Sequence, residues 1–523
     1  MAIKRFYADK DNTITNAFKA DLTNSGSEAN MGASDILEVF SIYGQASSSS
    51  LEASRILISF PINEISSSRF TTEDIPASGS VKFYLRMFNA RHSQTLPEKY
   101  YLHILPINTQ AWPEAIDPLQ NEGWTEGYGL DMEGYTDSGS SNWNRARTDQ
   151  YWGSPGAFGT TDYNRTEPAS SGHAERSITA SAYFERGNED MKVDVTDWVE
   201  AWLRACPSGA IYQRYDGVMI RMSGTYENES QFDGTNRRSY YTKKFFSRGT
   251  QFFFKKPCLE AQWDSSVKDR RASFYASSSL VATDDNLNKV YLYNYVRGQL
   301  KNIPLGHTAE PTKQDIYVNL YADVDGVATG DPITTAPLTP VTGGIYKAGI
   351  YSASIAVDTT ASIIHDVWFS GSNQYFTGTI NVKNFAASGY NDAEQNFVTS
   401  LRNLKPSYDK KETPRLRLFT RVKDWNPNVY TKASKKATSM AIEDAFYKVV
   451  RVADDFEAIS YGTGSNQMYN TRLSCDVSGN YFDLEMNLLE PDYMYEIKFL
   501  YYLSGQYHEQ DEKFRFRVDK DEY

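Results

Sequence analysis

Apolar residues fall at every second position through most of the chain, as in Asp35-Ile36-Leu37-Glu38-Val39-Phe40, Val81-Lys82-Phe83-Tyr84-Leu85-Arg86-Met87-Phe88 and Phe514-Arg515-Phe516-Arg517-Val518. A period of two predicts strands, and the 3.6-residue period of amphipathic helices is scarce. The expected fold class is therefore all-β with a few short helices. Alternation along Arg55 to Phe60 and Gly217 to Met222 places Ile56, Ile58, Phe60 and Met219 in a core, with Leu37 and Val39 beside them. The dipeptides Asp216-Gly217 and Asp233-Gly234 flank such runs as hairpin turns do. One helix is expected over Asp197 to Leu203, where Thr196 can cap and Trp198, Val199, Trp202 and Leu203 share a face. A second, brief one is expected over Ser434 to Asp444.

Turn-rich breaks divide the chain into three parts: residues 1–270, 285–390 and 410–523, the last following a polar linker near Ala386 to Pro414. Within the first, residues 123–171 are dense in Gly, Ser, Asn and Asp with no sustained period. Trp124, Tyr135, Trp143, Tyr151, Trp152 and Phe158 are too apolar to stay in water, so this stretch reads as an ordered surface loop. Strands in the second part, such as Ile316 to Tyr321 and Tyr351 to Val357, suggest a small β-sandwich. Phe446 to Val452 and Tyr495 to Leu503 in the third carry aromatics at both alternation phases. That pattern predicts apolar outer faces through which residues 410–523 would dock onto a partner.

Composition narrows the function. The 523 residues carry 54 Lys plus Arg against 66 Asp plus Glu, a net charge of −12, opposite to the balance of a duplex nucleic-acid binder. Aromatic residues reach 14% and half are Tyr, which suits strands and interfaces. No uncharged run of about 20 residues offers a membrane span, and the N-terminus lacks an apolar export segment. Cys206, Cys258 and Cys475 lie far apart and read as small buried thiols in a reduced compartment.

The motifs that announce catalysis are missing: no GxSxG, no phosphate loop, no HExxH, and six histidines never closer than eleven residues. Two acidic clusters have the oxygen ligands that calcium wants, Asp9-Lys10-Asp11-Asn12 and Asp323-Val324-Asp325-Gly326. The second lacks an acid at its twelfth position and is read as a hairpin turn. Loop carboxylates (Asp131, Glu133, Asp137, Asp149, Asp162) could hide a glycosidase pair, though chance proximity among 66 acids explains them better. Trp143, Tyr151 and Trp152 are the candidate sugar or partner contacts, with anchoring of the loop to the sheet beneath preferred for Trp143, Trp152 and Phe158.

The first part resembles DNRLRE-type modules, a family allied to carbohydrate-binding modules. The resemblance lies in Asp9 to Ile14, Leu37-Glu38-Val39, Ser54 to Phe60, Leu85-Arg86-Met87-Phe88, Val193-Asp194-Val195-Thr196-Asp197-Trp198-Val199, Gly217 to Arg221, Phe245-Phe246-Ser247-Arg248-Gly249 and Pro257-Cys258-Leu259-Glu260. Gly249 stands where that family usually has an acid. The resemblance implies a jelly-roll β-sandwich and, in some members, calcium, which makes Asp9 and Asp11 of the first acidic cluster the candidate calcium ligands. The second half resembles C-terminal regions of virion structural proteins of marine contractile-tailed phages, particularly cyanophages. The stretches are Gly349 to Ser354, His365 to Ser372, Lys423 to Pro427, Ser460 to Ser465 and Gly479 to Leu484.

The expectation is an N-terminal jelly-roll followed by two immunoglobulin-like sandwiches, without catalytic activity. Such a chain would be made in the host cytoplasm and serve in the virion as a component of tail, baseplate or neck. It would bind other virion proteins, form homo-oligomers in the particle, and touch neither nucleic acid nor membrane. The alternative is a carbohydrate-binding adhesin for host-surface glycan.

Overall fold

The computed structural model describes residues 2–520 except 49, 73, 94–97, 109–122, 138, 160, 164–165, 168–175, 206–215, 224–226, 228–238, 305–315, 384–395, 424–428, 430–438, 464–468 and 504. The fold is all-β, with two α-helices among the described residues. Two compact units divide it, Ala2–Asp264 and Ser265–Tyr523.

The first unit is a two-sheet sandwich. Its strands are β1 (Ile3–Tyr7), β2 (Lys10–Thr15), β3 (Ile36–Tyr43), β4 (Leu51–Ser59), β5 (Val81–Met87), β6 (Tyr100–Pro106), β7 (Ala180–Phe184), β8 (Met191–Asp194), β9 (Val218–Met222), β10 (Tyr240–Phe246) and β11 (Cys258–Trp263). One sheet runs β1-β11-β5-β8; the other runs β7-β6-β9-β4-β3-β10 with β2 beside β4. The chain changes sheet at β1–β2, β4–β5, β5–β6, β7–β8, β8–β9 and β10–β11, the crossing connectivity of a jelly roll. Leu37, Val39, Ile56, Ile58 and Phe60 meet Phe83, Leu85, Leu259 and Ala261 between the sheets, as alternation predicts.

Met219 departs from that expectation. It is buried, but register pairs it with Leu57, and both lie in a second apolar cluster on the outer face of the seven-stranded sheet. Val218, Ile220 and Met222 take the inner positions. Gly217, at φ +86°, turns the chain into β9 where a Cβ would overlap the Ile58 carbonyl.

Helix α1 (Ile62–Phe70) was not predicted: Pro61 precedes it with no side-chain cap, and its serine-rich sequence has almost no one-sided apolar pattern. Helix α2 (Thr196–Ala205) covers the expected segment and buries Trp198, Val199, Trp202 and Leu203. Arg69 of α1 grips Glu200 of α2 through two hydrogen bonds of 2.6 and 2.8 Å, both groups buried, which locks the helices together.

The second unit holds two assemblies. In residues 274–383, Val341–Lys347 pairs first with Ile316–Val324 and then with Ile350–Val357, joining two layers around Val318, Leu320, Tyr351, Ile355 and Trp368. Asp325 (φ +53°) and Gly326 (φ +82°) form the two-residue turn between Ile316–Val324 and Val327–Ile333. In residues 397–519, a four-stranded sheet faces a six-stranded one. Tyr447 stacks on Phe482 between them at 4.4 Å, and the Tyr501 hydroxyl lies 2.7 Å from the Thr399 hydroxyl across the same gap.

The segment Ser265–Ser273 stitches these assemblies. Asp269 N–H donates to Cys475 O and Cys475 N–H to Val267 O, at 3.0 and 2.9 Å. Buried Arg271 binds Asp269 (2.6 Å) and Asp366, whose other donor is the Trp368 indole at 2.7 Å. Burial pushes the Asp269 carboxyl up to about 6, against the pull of Arg271.

The helix expected over Ser434 to Asp444 lies partly outside the described residues; 439–444 are irregular, held by Met440 N–H on Thr420 O and Ile442 N–H on Asn480. The outer face of these strands is mixed: Tyr502 and Tyr507 pair on it at 4.8 Å and stay nearly half exposed. Lys448, Glu496, Lys498 and Glu509 form an ion-pair mesh with Glu457, Lys513 and Arg515 on that face. Phe446 is covered from within the chain by Tyr469 and Tyr507. Cys258 and Cys475 are free and buried; Cys206 lies outside the described residues.

Candidate functional site

The long loop lies on the outer face of the seven-stranded sheet, and its base is built of apolar anchors. Trp124, Trp143, Trp152, Ala146, Ala157 and Tyr163 pack on Ile14, Ala53, Leu57, Leu105 and Met219. This explains why Leu51–Ser59 and Val218–Met222 are buried on both faces. The indoles also meet their polar needs: Trp124 Nε1–H donates to Asp216 O at 2.7 Å and Trp152 Nε1–H to Asn142 O at 2.9 Å.

Beneath Trp143 sits an unexpected charge cluster. Buried Arg55 donates through Nε to Glu227 at 2.7 Å, through Nη2 to the same carboxylate and through Nη1 to Gly156 O. Its guanidinium lies 4.8 Å from the Trp143 ring and 4.9 Å from Phe158, and Arg221 approaches the Phe158 ring at 4.7 Å. Desolvation lowers the Arg55 pKa and the Glu227 charge offsets it. Asp162 accepts N–H groups of Gly153, Ser154 and Gly159 at 2.7 to 3.1 Å, closing the neighbouring turn.

A second fastening joins the loop to β2. Glu126 accepts the Asp11 N–H at 2.8 Å and binds the Arg248 guanidinium, while Asp11 accepts the Arg248 backbone N–H at 2.6 Å. Burial pushes the Asp11 carboxyl up to about 7, with nearby Glu126 adding to the rise and the Arg248 N–H opposing it. Asp9 is exposed. Among the described residues no three His, Cys, Asp or Glu side chains gather as metal ligands; the carboxylate beside Asp11 is Glu126, and Arg248 binds both. Asn12 and Asn30 add further pins: Asn12 Nδ2 donates to Ser141 at 2.8 Å and Asn30 Nδ2 to Ser141 O at 2.8 Å.

The loop's outward side is different. Tyr128 is 75% exposed, Tyr151 56%, Tyr135 and Leu130 each 51%. They stand on tight turns: Asp131 accepts the N–H groups of Glu133, Gly134 and Tyr135, and Asp137 accepts Tyr128 N–H and Ser140 O–H. Backbone hydrogen bonding to Asp131 lowers its pKa and keeps it ionised for this task. The Arg145 guanidinium stacks on Tyr151 at 4.2 Å and bonds its hydroxyl.

Of the residues singled out by sequence, Trp143 and Trp152 are buried anchors with only 6% and 5% of their surface accessible, whereas Tyr151 faces outward. Tyr128 and Leu130 were missed. Their signal was Gly127-Tyr128-Gly129: a Cβ on either glycine would strike Asn30, so the chain there must run close and turn its intervening side chain out. Arg55 and Glu227 had no sequence signal, lying 172 positions apart.

No family model matches the chain, and no curated protein matches it. Solved structures with local likeness include the Yersinia pseudotuberculosis adhesin InvE (10% identity, 40% of this chain and 51% of that one, TM-score 0.14). Others are the Ig1-2 module of the Drosophila receptor protein tyrosine phosphatase DLAR (9%, 39% and 84%, 0.12) and a DUF4785 family protein from Legionella pneumophila (10%, 98% and 92%, 0.14). The chain spans about half the length of the first. None of these likenesses extends to a common overall fold, and they carry nothing about function.

Proposed function

We propose that this chain is a non-enzymatic structural component of a tailed-bacteriophage virion, in the tail, baseplate or neck, that works by protein–protein contact. The observation that carries the reading is the division of the loop. Its tryptophans turn inward, while Tyr128, Leu130, Tyr135 and Tyr151 stand outward on a loop whose turns are closed by Asp131 and Asp137. Rigid tyrosines among Gly, Ser and Asn give a large amphipathic contact at low entropy cost, as in recognition loops. The resemblance of the second half to phage virion proteins adds the setting, and that of the first half to DNRLRE-type modules the scaffold. Purified particles that contain the chain provide the test. A density map should place the loop tip against a neighbouring protein, and Tyr128→Ser with Tyr135→Ser should cut incorporation; absence of the chain from washed particles would end the reading.

A second reading, a host-glycan adhesin, is favoured by Tyr151 alone. With Arg145 stacked on its ring it forms a flat, held plate of the kind a pyranose face can stack on. A glycan array separates the two: binding lost in Tyr151→Ala, with stability unchanged, would move the function to carbohydrate.

A further inference from the structure

The two sheets of the first unit end in four strands, and their charges differ. β1 carries Lys4 and Arg5, β8 carries Lys192 and Asp194, and β10 carries Lys243 and Lys244; β7, Ala180-Ser181-Ala182-Tyr183-Phe184, carries no charge. Lysine on a sheet edge is a common guard against edge-to-edge pairing, as are proline and bulges. β7 has none of these: its register with β6 is unbroken from Ala180–Ile104 to Phe184–Tyr100.

The direction of its backbone groups follows from the ladder. Ser223 N–H donates to Tyr101 O at 3.0 Å, so Tyr101 turns its backbone groups toward β9. Residues alternate in an antiparallel ladder, so Leu102 turns toward β7 and bonds with its partner Ala182. Ser181 and Tyr183 therefore point their N–H and C=O groups away from β6, and among the described residues these groups have no partner. Beside this edge a cleft of about 450 Å³ opens between β7 and β8.

We infer that β7 pairs with β7 of a second copy of this chain, antiparallel about a two-fold axis through Ala182. That register sets Ser181 opposite the other copy's Tyr183, and a hydrogen-bonded antiparallel pair exchanges both of its bonds. Self-complementarity selects the occupant. The outward residues Ser181 and Tyr183 meet as small against large, Ala182 meets Ala182 at the axis, and no like charges oppose each other. Tyr183 packs on Tyr101 at 4.7 Å, both about half exposed, and brings a ring pair to the junction from each copy. Of the other three end strands, β10 is already bridged by residues 88–90 through Ala90 N–H to Lys244 O and Phe246 N–H to Phe88 O, β1 would set Arg5 against Arg5 about its middle residue, and β8 has only four residues, among them Lys192 and Asp194.

Amide hydrogen exchange on the full chain at low and high concentration tests this without a variant. Ser181 and Tyr183 amides should exchange quickly when dilute and gain protection as the weight-average mass rises, while the Ala182 amide stays protected throughout. Proline adds a second arm, since it removes an N–H and is tolerated where that N–H faces solvent. At a dilution where wild type is monomeric, Ser181→Pro should keep the wild-type melting temperature, and at high concentration it should stay monomeric; Ala182→Pro should lower the melting temperature even when dilute. A wild type that is monomeric at its solubility limit overturns the inference, as does a Ser181→Pro variant that dimerises like wild type. Protection of Ser181 only when a different virion protein is added would also overturn it, giving the edge to that partner.

Discussion

Two sheets in this molecule contain strands with large apolar residues at both alternation phases, and they solve the same problem differently. In the first unit, Leu51–Ser59 and Val218–Met222 are buried on both faces because a loop rooted by Trp124, Trp143 and Trp152 roofs the outer one. In the last assembly, Ala445–Arg451 and Met494–Leu503 keep their aromatics inward for the most part, and the outer face is shared by lysine and glutamate in mutual contact and a half-exposed Tyr502–Tyr507 pair. Both-phase hydrophobicity signals two covered faces; it does not say what covers them.

The comparison breaks most visibly at Trp143. Trp143→Ala should cost about 3–5 kcal/mol, because it removes a buried indole and leaves a cavity over Leu57 and Met219. Denaturant titration of the full chain should show the first unit losing stability while the second is unchanged. A cost below about 1 kcal/mol would mean that the loop is a cover without structural weight.

Arg55 comes next. Arg55→Met leaves the Glu227 carboxylate buried without its closest cation and should cost about 3 kcal/mol, as broken buried pairs do. The double variant Arg55→Met, Glu227→Met should recover part of that loss in the same titration, the remainder reflecting buried Arg221, which lies 3.9 Å from Glu227 and loses that carboxylate. Recovery would separate a charge penalty from the packing of Arg55 on Trp143.

These residues also mark what the sequence made legible. Alternation located Ile56, Ile58 and Phe60 in the intersheet core because local pleating decides that. It assigned Met219 to the same core because neighbouring positions cannot reveal that the opposite face is roofed by a segment some 70 positions earlier. The loop's order was legible from its tryptophans, since such rings must be buried somewhere. Which of its aromatics face out was not legible: Tyr135 and Tyr151, grouped with the tryptophans as too apolar for water, are half exposed, because exposure depends on turns closed by Asp131 and Asp137. The Arg55–Glu227 pair was illegible, being a long-range contact between residues ordinary at the surface.

A third effect sharpens the comparison through pH. Asp11, raised to about 7 by burial, holds its proton in the folded state across a range where an unfolded aspartate has lost it. The folded state then binds more protons, so stability falls as pH rises from about 4 to about 7 and levels off above that. Asp11→Asn should remove this slope while keeping an acceptor for the Arg248 N–H. Thermal melts of both proteins at pH 4.5 and 7.5, about two pH units on the relevant limb, should show wild type losing more on going up, with about 1.4 kcal/mol per tenfold change in proton affinity as the scale. Parallel melts would mean that Asp11 is ionised at all these pH values.

The smallest effect lies on the ion-paired face and tests the other half of the comparison. Lys448 reaches Glu509 at 3.2 Å and Glu457 at 3.7 Å, and Lys498 reaches Glu509 at 3.7 Å, with both glutamates 43–50% exposed. Water screens such pairs and side-chain entropy opposes them, so Lys498→Ala should change stability by less than about 1 kcal/mol. The face should nonetheless matter for solubility: replacing Lys448 and Lys498 together by Leu would create an exposed apolar face of the kind that needs a cover, as the outer face in the first unit has. That variant should self-associate at unchanged stability, read by sedimentation, and adding salt should not reverse it. If instead the double variant stayed monomeric, charge would not be what keeps this face open, and Phe446, Tyr469 and Tyr507 would have to account for its closure by packing alone.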